Sequence, residues 1–227
     1  MGDVQVQRGP GRGKFVTFEG GEGAGKSTQI KMLAKRLEAA GVRNLSTREP
    51  GGSAGAEIMR HLVLSGIGKL LGAEAETLLF AAARDDHVRN VILPALNQGS
   101  WVLCDRFFDS TRAYQGSLGK VAPDVLNAMQ RVTIGDLKPD LTIILDVPVE
   151  VGMQRAAVRR GSDAPDRFES EDIKFHQGLR EAYRKIAADD PKRCVLIDAT
   201  VEPDRVADAV WDTVRMHLFT PATVGQP

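Results

Sequence analysis

The chain has 227 residues, a length that suits one α/β domain with a substantial core. Its 30 basic and 30 acidic side chains balance, so net charge gives no reason to expect a nucleic acid or a membrane surface as partner. The longest apolar run, LTIILDV, is far too short to cross a bilayer, and residues 1–13 lack the apolar stretch of a signal peptide. We therefore expect a cytoplasmic protein in which Cys104 and Cys194 are buried, reduced thiols.

Short strand-like runs alternate with helical stretches along the chain. The predicted strands are 14–19, 43–49, 101–105, 141–147 and 194–198. The predicted helices are 26–40, 73–98, 148–160, 170–189 and 202–219. Three of the strands are apolar at consecutive positions, as strands covered on both faces are, whereas 43–49 is weakly apolar and is placed mainly by the helices around it.

This alternation predicts an α/β fold with three layers, in which helices flank a five-stranded parallel sheet of the P-loop NTPase type. Ligands are then expected at the carboxyl ends of the strands. The sequence contains no repeat and no linker long enough to separate two domains. We expect one domain over 14–219, with disordered tails at 1–13 and 220–227.

The segment FEGGEGAGKST has the glycine spacing of a phosphate-binding loop. It follows a predicted strand and opens a predicted helix, which is the context that the motif requires. In such loops backbone N–H groups bind phosphate oxygens, the lysine, here Lys26, reaches the β and γ phosphates, and the Ser27 hydroxyl holds Mg²⁺. The predicted ATP-binding residues are Gly20, Gly21, Glu22, Gly23, Ala24, Gly25, Lys26, Ser27 and Thr28. The alternative to a phosphate-binding loop is an ordinary glycine-rich turn with an exposed lysine.

The strand WVLCD ends in Asp105, which is predicted to join Ser27 in orienting Mg²⁺ or its water shell. A signalling GTPase would carry a D-x-x-G switch and an N-K-x-D guanine-binding motif, and the sequence has neither. The bound nucleotide is therefore interpreted as a phosphoryl donor, not as a switch.

Several further motifs occur in the order found in one family. They are TREPGG at 47–52, LLFAAARDDH at 78–87, CDRFFDSTRAYQG at 104–116, PDLTIILDVPVEVG at 139–152 and DRFE at 166–169. Together with the phosphate loop they resemble bacterial thymidylate kinases over residues 14–219. The resemblance implies transfer of the γ-phosphoryl group of Mg-ATP to dTMP, a step towards dTTP, in a homodimer whose surface comes from a helix within 53–97.

The acceptor base offers an N3–H donor, an O4 acceptor, a flat face and a methyl group. Phe80 and Arg84 are four residues apart and so share one face of the predicted helix, where the ring can stack on the base and the guanidinium can donate to O4. Without the family, Phe80 in the core and Arg84 on a solvated face would be the simpler interpretation. Gln115 is predicted to bond the pyrimidine edge, and the resemblance places Tyr114 over the sugar and Thr111 in the same base-binding stretch.

Arg106 is predicted to hold the acceptor's phosphate, because a guanidinium matches phosphate oxygens; the alternative is a structural pair with Asp105 or Asp109. The family implies that Glu22 faces the acceptor's 3′-hydroxyl and that the Glu49–Pro50 segment borders the acceptor, with a bond that we hypothesise to be cis. The predicted dTMP-binding residues are Glu22, Arg48, Glu49, Pro50, Phe80, Arg84, Arg106, Ser110, Thr111, Tyr114 and Gln115.

A nucleotide acceptor attacks through a phosphate oxygen that is already charged, so no general base is needed. Some family members carry an arginine directly after the acidic loop residue, but this chain has Gly23 there. The missing charge is expected from a lid over about 153–169, which contains Arg155, Arg159, Arg160 and Arg167. Arg160 is favoured and Arg159 is second. The predicted catalytic residues are Lys26, Arg106, Arg160, Arg159 and Glu22.

Three alternatives remain open. A deoxynucleoside kinase on the same fold would need a carboxylate base, for which Glu49 beside Pro50 is the candidate. A kinase for another monophosphate would not explain Phe80, Arg84 and Gln115 together. A non-catalytic phosphate-loop module would not explain the acceptor-site residues at all.

Overall fold

A computed structural model describes residues 11–66, 70, 72–161 and 167–219. Its strands are β1 (Phe15–Glu19), β2 (Asn44–Arg48), β3 (Trp101–Asp105), β4 (Leu141–Asp146) and β5 (Cys194–Asp198). All neighbouring strands are parallel, and their order is β2-β3-β1-β4-β5. The predicted fold class is confirmed, with strand ends shifted by at most one residue.

The position of each strand in the sheet explains its composition. Every residue of β1 is buried, and β3 and β4 are buried except at their ends, because helices cover both faces of the sheet centre. β2 and β5 are the edge strands and are partly exposed. The weak apolar character of 43–49 is therefore that of an edge strand.

The helices are α1 (Lys26–Ala39), α2 (Ala54–Leu64), α3 (Ala73–His87), α4 (Leu93–Asn97), α5 (Phe108–Thr111), α6 (Pro123–Ile134), α7 (Val149–Arg160), α8 (Ile173–Asp189) and α9 (Pro203–Leu218). Two π-helical segments, Val88–Ile92 and Arg112–Leu118, follow α3 and α5.

The prediction of one regular helix over 73–98 was wrong in its middle, where the π-helical segment separates α3 from α4. Pro94, in the first turn of α4, explains the change, because proline has no N–H to donate and its ring crowds the carbonyl four residues earlier. Helix α6 was not predicted. Val125, Met129 and Val132 recur there with helical spacing, although only Ile134 of this helix is buried.

Two apolar layers hold the sheet. On one face Val16, Phe18 and Leu103 pack with α1 and α9. On the other face Phe15, Val102 and Cys104 pack with α4 and the π-helical segment before it. This arrangement leaves the carboxyl ends of the strands as the open edge.

The predicted lid and tails lie only partly within the described residues. Residues 162–166 of the lid, 1–10 of the first tail and all of 220–227 lie outside them. Gly13 is already attached to the domain, since its N–H donates to Leu96 O at 2.9 Å and a Cβ there would meet Ser100 O at 1.8 Å. The anchored chain therefore begins before residue 14. Among the described helices, none combines the length and apolarity that crossing a bilayer requires.

Candidate active site

A cleft of about 740 Å³ opens at the carboxyl ends of the strands. Predicted residues that line it are Glu22, Gly23, Ala24, Gly25, Lys26, Ser27, Thr28, Arg48, Glu49, Pro50, Phe80, Arg84, Asp105, Arg106, Ser110, Thr111, Tyr114, Gln115 and Arg159. Gly20, Gly21 and Arg160 are not among its lining residues. Residues from distant segments of the sequence thus meet in one cavity, as the parallel topology requires.

The phosphate loop joins β1 to α1 and turns its basic residue inward. The Lys26 ammonium is buried and donates to the carbonyl oxygens of Gly20 (3.1 Å) and Gly21 (2.9 Å). The Ser27 hydroxyl donates to the Asp105 carboxylate at 2.7 Å. The two predicted metal ligands therefore lie side by side, and a hydroxyl with a carboxylate is an oxygen donor set that suits Mg²⁺.

Arg106 is held from several sides directly after β3. Its backbone has φ 68°, a left-handed conformation that is uncommon for any residue with a side chain. One guanidinium nitrogen donates to the Glu22 carboxylate at 2.6 Å, and the other donates to Gly20 O at 3.2 Å and the Tyr183 hydroxyl at 3.0 Å. The guanidinium also lies 5.1 Å from the centre of the Tyr114 ring. The predicted alternative, a structural pair with Asp105 or Asp109, is not what holds this side chain.

Glu22 is the partner of Arg106, which accounts for an acid inside a phosphate loop. Its carboxylate accepts from Arg106 and, at 3.2 Å, from the Tyr114 hydroxyl. Burial pushes the pKa of Glu22 upward, but the charges of Arg106 and Lys26 outweigh burial and hold it at about 2. The loop acid is therefore ionised and faces Arg106 and Tyr114 in the cleft.

Glu19 is a site residue that the sequence analysis missed. It ends β1 and is fully buried, yet its carboxylate has three partners: Phe107 N at 2.8 Å, the Ser110 hydroxyl at 2.6 Å and the Tyr183 hydroxyl at 3.1 Å. Burial, followed by the nearby Asp109 charge, raises the pKa of Glu19 to about 7. An acid at the end of an apolar strand was the signal in the sequence, because such a group must find partners.

The raised pKa of Glu19 predicts a pH-dependent stability. The folded chain keeps the proton up to about pH 7, whereas the unfolded chain releases it near 4.5, so stability falls as pH rises through this window. Glu19→Gln removes this contribution. Relative to the parent, the variant should gain on the order of 2 kcal/mol of unfolding free energy between pH 5 and pH 8. Urea unfolding of both proteins at the two pH values measures this gain, and parallel stability changes would contradict it.

The wall opposite the phosphate loop comes from α3. Phe80 is half-buried, with its ring centre 6.2 Å from that of Phe168. Arg84 is buried and donates to the Glu49 carboxylate at 2.7 Å, the Thr111 hydroxyl at 3.1 Å and Phe107 O at 3.2 Å. Three of its five N–H donors are engaged in this way. Arg84 is therefore a fixed part of the cleft wall, not a solvated side chain.

Glu49 is held by two partners. One oxygen accepts from Arg84, and the other lies 3.1 Å from Nδ1 of His87, a fully buried ring that sequence reasoning did not single out. The Glu49–Pro50 bond is cis, as hypothesised. Arg48 lines the cleft while its guanidinium donates to Glu57 at 2.9 Å.

The predicted lid arginines have different surroundings. Arg159 and Arg160, at the end of α7, bind the two oxygens of Glu169 at 2.7 and 2.9 Å, but only Arg159 lines the cleft. Arg167 pairs with Glu76 near the start of α3. Arg155 donates to Ala199 O at 2.8 Å and to Thr200 O at 3.3 Å, and so lies at the far end of the cleft.

That far end was not predicted. Arg155 and Ala199 meet there with Gln29, Val201 and Pro203, and the Gln29 amide donates to Pro203 O at 2.9 Å. In the sequence, only the position of the segment after β5 pointed to this part of the cleft, because that segment must reach the same sheet edge as the phosphate loop.

The site combines a phosphate loop, a hydroxyl–carboxylate pair that suits a cation, and a cleft with arginines on both sides. These features define a P-loop kinase. A thymidylate kinase family profile matches residues 18–210, and the chain belongs to the thymidylate kinase family.

The relatives agree over nearly the whole chain. Thymidylate kinase of Bradyrhizobium sp. (strain BTAi1) is 84% identical over 220 residues, which cover 97% of each chain. That of Bradyrhizobium diazoefficiens is 76% identical and covers 99% of each. The crystal structure of thymidylate kinase from Ehrlichia chaffeensis superposes with a TM-score of 0.73 at 33% identity, covering 91% of this chain and 100% of that one.

Proposed function

We propose that this chain transfers the γ-phosphoryl group of ATP to the phosphate of dTMP, giving dTDP and ADP. The observation that carries the proposal is the placement of Arg106, which donates to the same Gly20 carbonyl oxygen as Lys26 and lines one cleft together with Phe80 and Arg84. One cleft then takes a triphosphate on one side and a pyrimidine monophosphate on the other.

The acceptor site divides into a phosphate part and a base part. Arg106 binds the phosphate of dTMP, and Glu22 orients Arg106 and the sugar hydroxyl nearby. Phe80 stacks on the base and Arg84 donates to its edge, while the Gln115 amide donates to or accepts from that edge. Tyr114 closes the sugar side, and Ser110, Thr111, Arg48, Glu49 and Pro50 complete the wall. Together these groups fix the acceptor oxygen in line with the γ-phosphate.

The donor site follows the phosphate loop. Residues Gly20 to Thr28 bind the phosphates of ATP, and Lys26 leaves its loop carbonyls to reach the β and γ phosphates. Ser27 and Asp105 would hold Mg²⁺, which supplies charge neutralisation when bound. The adenine lies between Arg155 and the segment at Val201 and Pro203.

No general base is assigned. The acceptor is a phosphate oxygen that carries charge at neutral pH, so the protein has only to align it and neutralise charge. This distinguishes the reaction from that of a deoxynucleoside kinase, where Glu49 would have to take a proton from a neutral hydroxyl. The Glu49 carboxylate is buried and bound by Arg84 and His87, which is a poor arrangement for such a base.

A cytoplasmic homodimer is also part of the proposal. Ile58 on α2 and Leu78 on α3 are 63% and 55% exposed, and these packed helices form an apolar surface of the kind that a second copy would cover. Cys104 and Cys194 are buried and unpaired with each other, which suits a reducing compartment.

An acceptor panel tests the proposal. ADP formation from Mg-ATP should be at least about tenfold faster in kcat/KM with dTMP than with dUMP, dCMP, AMP, GMP or thymidine, a difference that one lost pocket contact can give. Activity on thymidine but not on dTMP would assign Glu49 as a base and a nucleoside as substrate. The absence of any acceptor-dependent ADP formation would place the protein among non-catalytic binding modules.

A further inference from the structure

The carboxylate of Glu19 lies beneath the cleft, where it accepts hydrogen bonds from Phe107 and Ser110, two residues that line it. Its side chain is fully buried and Glu19 is not among the residues that line the cavity. Its three donors, Phe107 N and the hydroxyls of Ser110 and Tyr183, all belong to segments that pack against Arg106. Glu19 therefore cannot meet a substrate, and its effect on the reaction has to pass through these neighbours.

Glu19 acts on Arg106 first through the backbone. Arg106 has a left-handed φ of 68°, which a residue with a Cβ keeps only when its surroundings enforce it. Its own N–H donates to Phe18 O at 2.9 Å, and the next N–H, that of Phe107, donates to Glu19 at 2.8 Å. The end of β1 thus fixes the backbone on both sides of the strained residue.

Glu19 also acts on Arg106 through the hydroxyl groups of Ser110 and Tyr183. An ionised carboxylate only accepts, so the Ser110 proton must point at Glu19, and the Tyr183 proton points at Glu19 or at Ser110. The lone pairs of both oxygens are then turned to the Arg106 guanidinium, which donates to Tyr183 at 3.0 Å and approaches Ser110 at 3.4 Å. The carboxylate sets the direction of every bond in this network.

We propose that Glu19 is a positioning residue for acceptor binding: it holds the Arg106 backbone in its left-handed turn and orients the Ser110 and Tyr183 hydroxyls so that they accept from the Arg106 guanidinium. The inference rests on the proposed role of Arg106 as the group that binds the phosphate of dTMP. It adds a buried acid of β1 to the residues that determine affinity for the acceptor.

Glu19→Gln tests this directly because it keeps the shape of the side chain and reverses the direction of its hydrogen bonds with Ser110 and Tyr183. The amide oxygen must face Phe107 N–H, which leaves the NH₂ group against Ser110 and Tyr183. Both hydroxyls then accept from the amide, and because only one of their protons can lie in the 2.8 Å bond between Ser110 and Tyr183, at least one proton turns towards Arg106. At pH 8, above the pKa of about 7 to which burial raises Glu19, the KM for dTMP should rise about tenfold, with the KM for ATP within about twofold of the parent.

Asp146→Asn is the matched control. Asp146 ends the neighbouring strand β4 and binds Arg180 and Arg184, on the same helix as Tyr183, without touching Arg106. This variant should keep the KM for both substrates. Tyr183→Phe removes one hydroxyl and should raise the KM for dTMP severalfold. Combined with Glu19→Gln it should add much less than its separate effect, because both act on the same bond.

The outcomes separate the two proposals. An unchanged KM for dTMP in Glu19→Gln, or equal losses for both substrates with a matching fall in Tm, would overturn the role of Glu19. If Glu19→Gln does not fold, an unchanged KM for dTMP in Tyr183→Phe overturns it. If Arg106→Ala itself keeps its KM for dTMP and its kcat, the proposed role of Arg106 fails first, independently of Glu19.

Discussion

Arg106→Ala should lower kcat/KM for dTMP by about 10²- to 10³-fold, the loss expected when a buried charge pair to a phosphate is removed. ATP binding should change by no more than about twofold, because Lys26 keeps its contacts with the phosphate loop although Gly20 and Glu22 lose theirs with Arg106. The loss has two origins. The acceptor phosphate loses its guanidinium, and the partly buried Glu22 carboxylate loses its 2.6 Å partner and repels that phosphate.

Initial rates with dTMP varied at saturating ATP measure this effect, and ATP titration measures the donor side. Arg106→Lys is the matched control. A lysine keeps the charge but cannot reach Glu22, Gly20 and Tyr183 at once, so it should recover only part of the loss. Near-normal turnover of Arg106→Ala would remove this residue from the acceptor site.

The fold was predictable because each strand carries its own signal. WVLCD and CVLID are apolar runs, and the observed strands at 101–105 and 194–198 match them residue for residue. The phosphate loop was equally predictable, because its glycines, Lys26 and Ser27 form one continuous sequence motif. The π-helical segment was missed because a single distorted turn leaves little periodicity, whereas α6 was overlooked although its apolar positions have helical spacing.

Residues that act through distant partners could not be predicted. Glu19 binds hydroxyls 91 and 164 positions away, and His87 binds a carboxylate 38 positions away. A sequence shows that an acid ends an apolar strand, but not which hydroxyls the topology brings to it. Phe80 and Arg84 were predicted as acceptor residues only through their family pattern, because their spacing alone also fits a core residue beside a solvated one.

The glycine in the phosphate loop has a steric explanation that only the structure reveals. Gly23 has φ 66°, and a Cβ there would lie 1.9 Å from Gly152 O of α7. An arginine at position 23 is therefore incompatible with helix α7 packed so closely on the loop. The same close packing brings Arg155 and Arg159 of α7 to the cleft. Among the arginines of this region the sequence favoured Arg160, with Arg159 second.

Arg159→Ala should lower kcat by about 10²-fold or more, the scale of an arginine that stabilises the transferring phosphoryl group. Arg159 lines the cleft, and its charge helps to lower the pKa of Glu22, although burial and Arg106 have larger effects on it. Its side chain is 62% exposed and holds Glu169 by one bond, so it can turn to a γ-phosphate at little cost. Arg160, the residue favoured from sequence, does not line the cleft and is 25% exposed.

Arg160→Ala is accordingly the matched control, with an expected loss in kcat of only about threefold from a loosened Glu169. Single-turnover rates at saturating ATP and dTMP compare the two variants at the chemical step, so that slow product release does not hide the difference. The reverse order, with Arg160→Ala inactive and Arg159→Ala active, would restore the sequence-based choice. It would also require α7 to rotate about its axis when ATP binds, because the two side chains leave the helix about 100° apart.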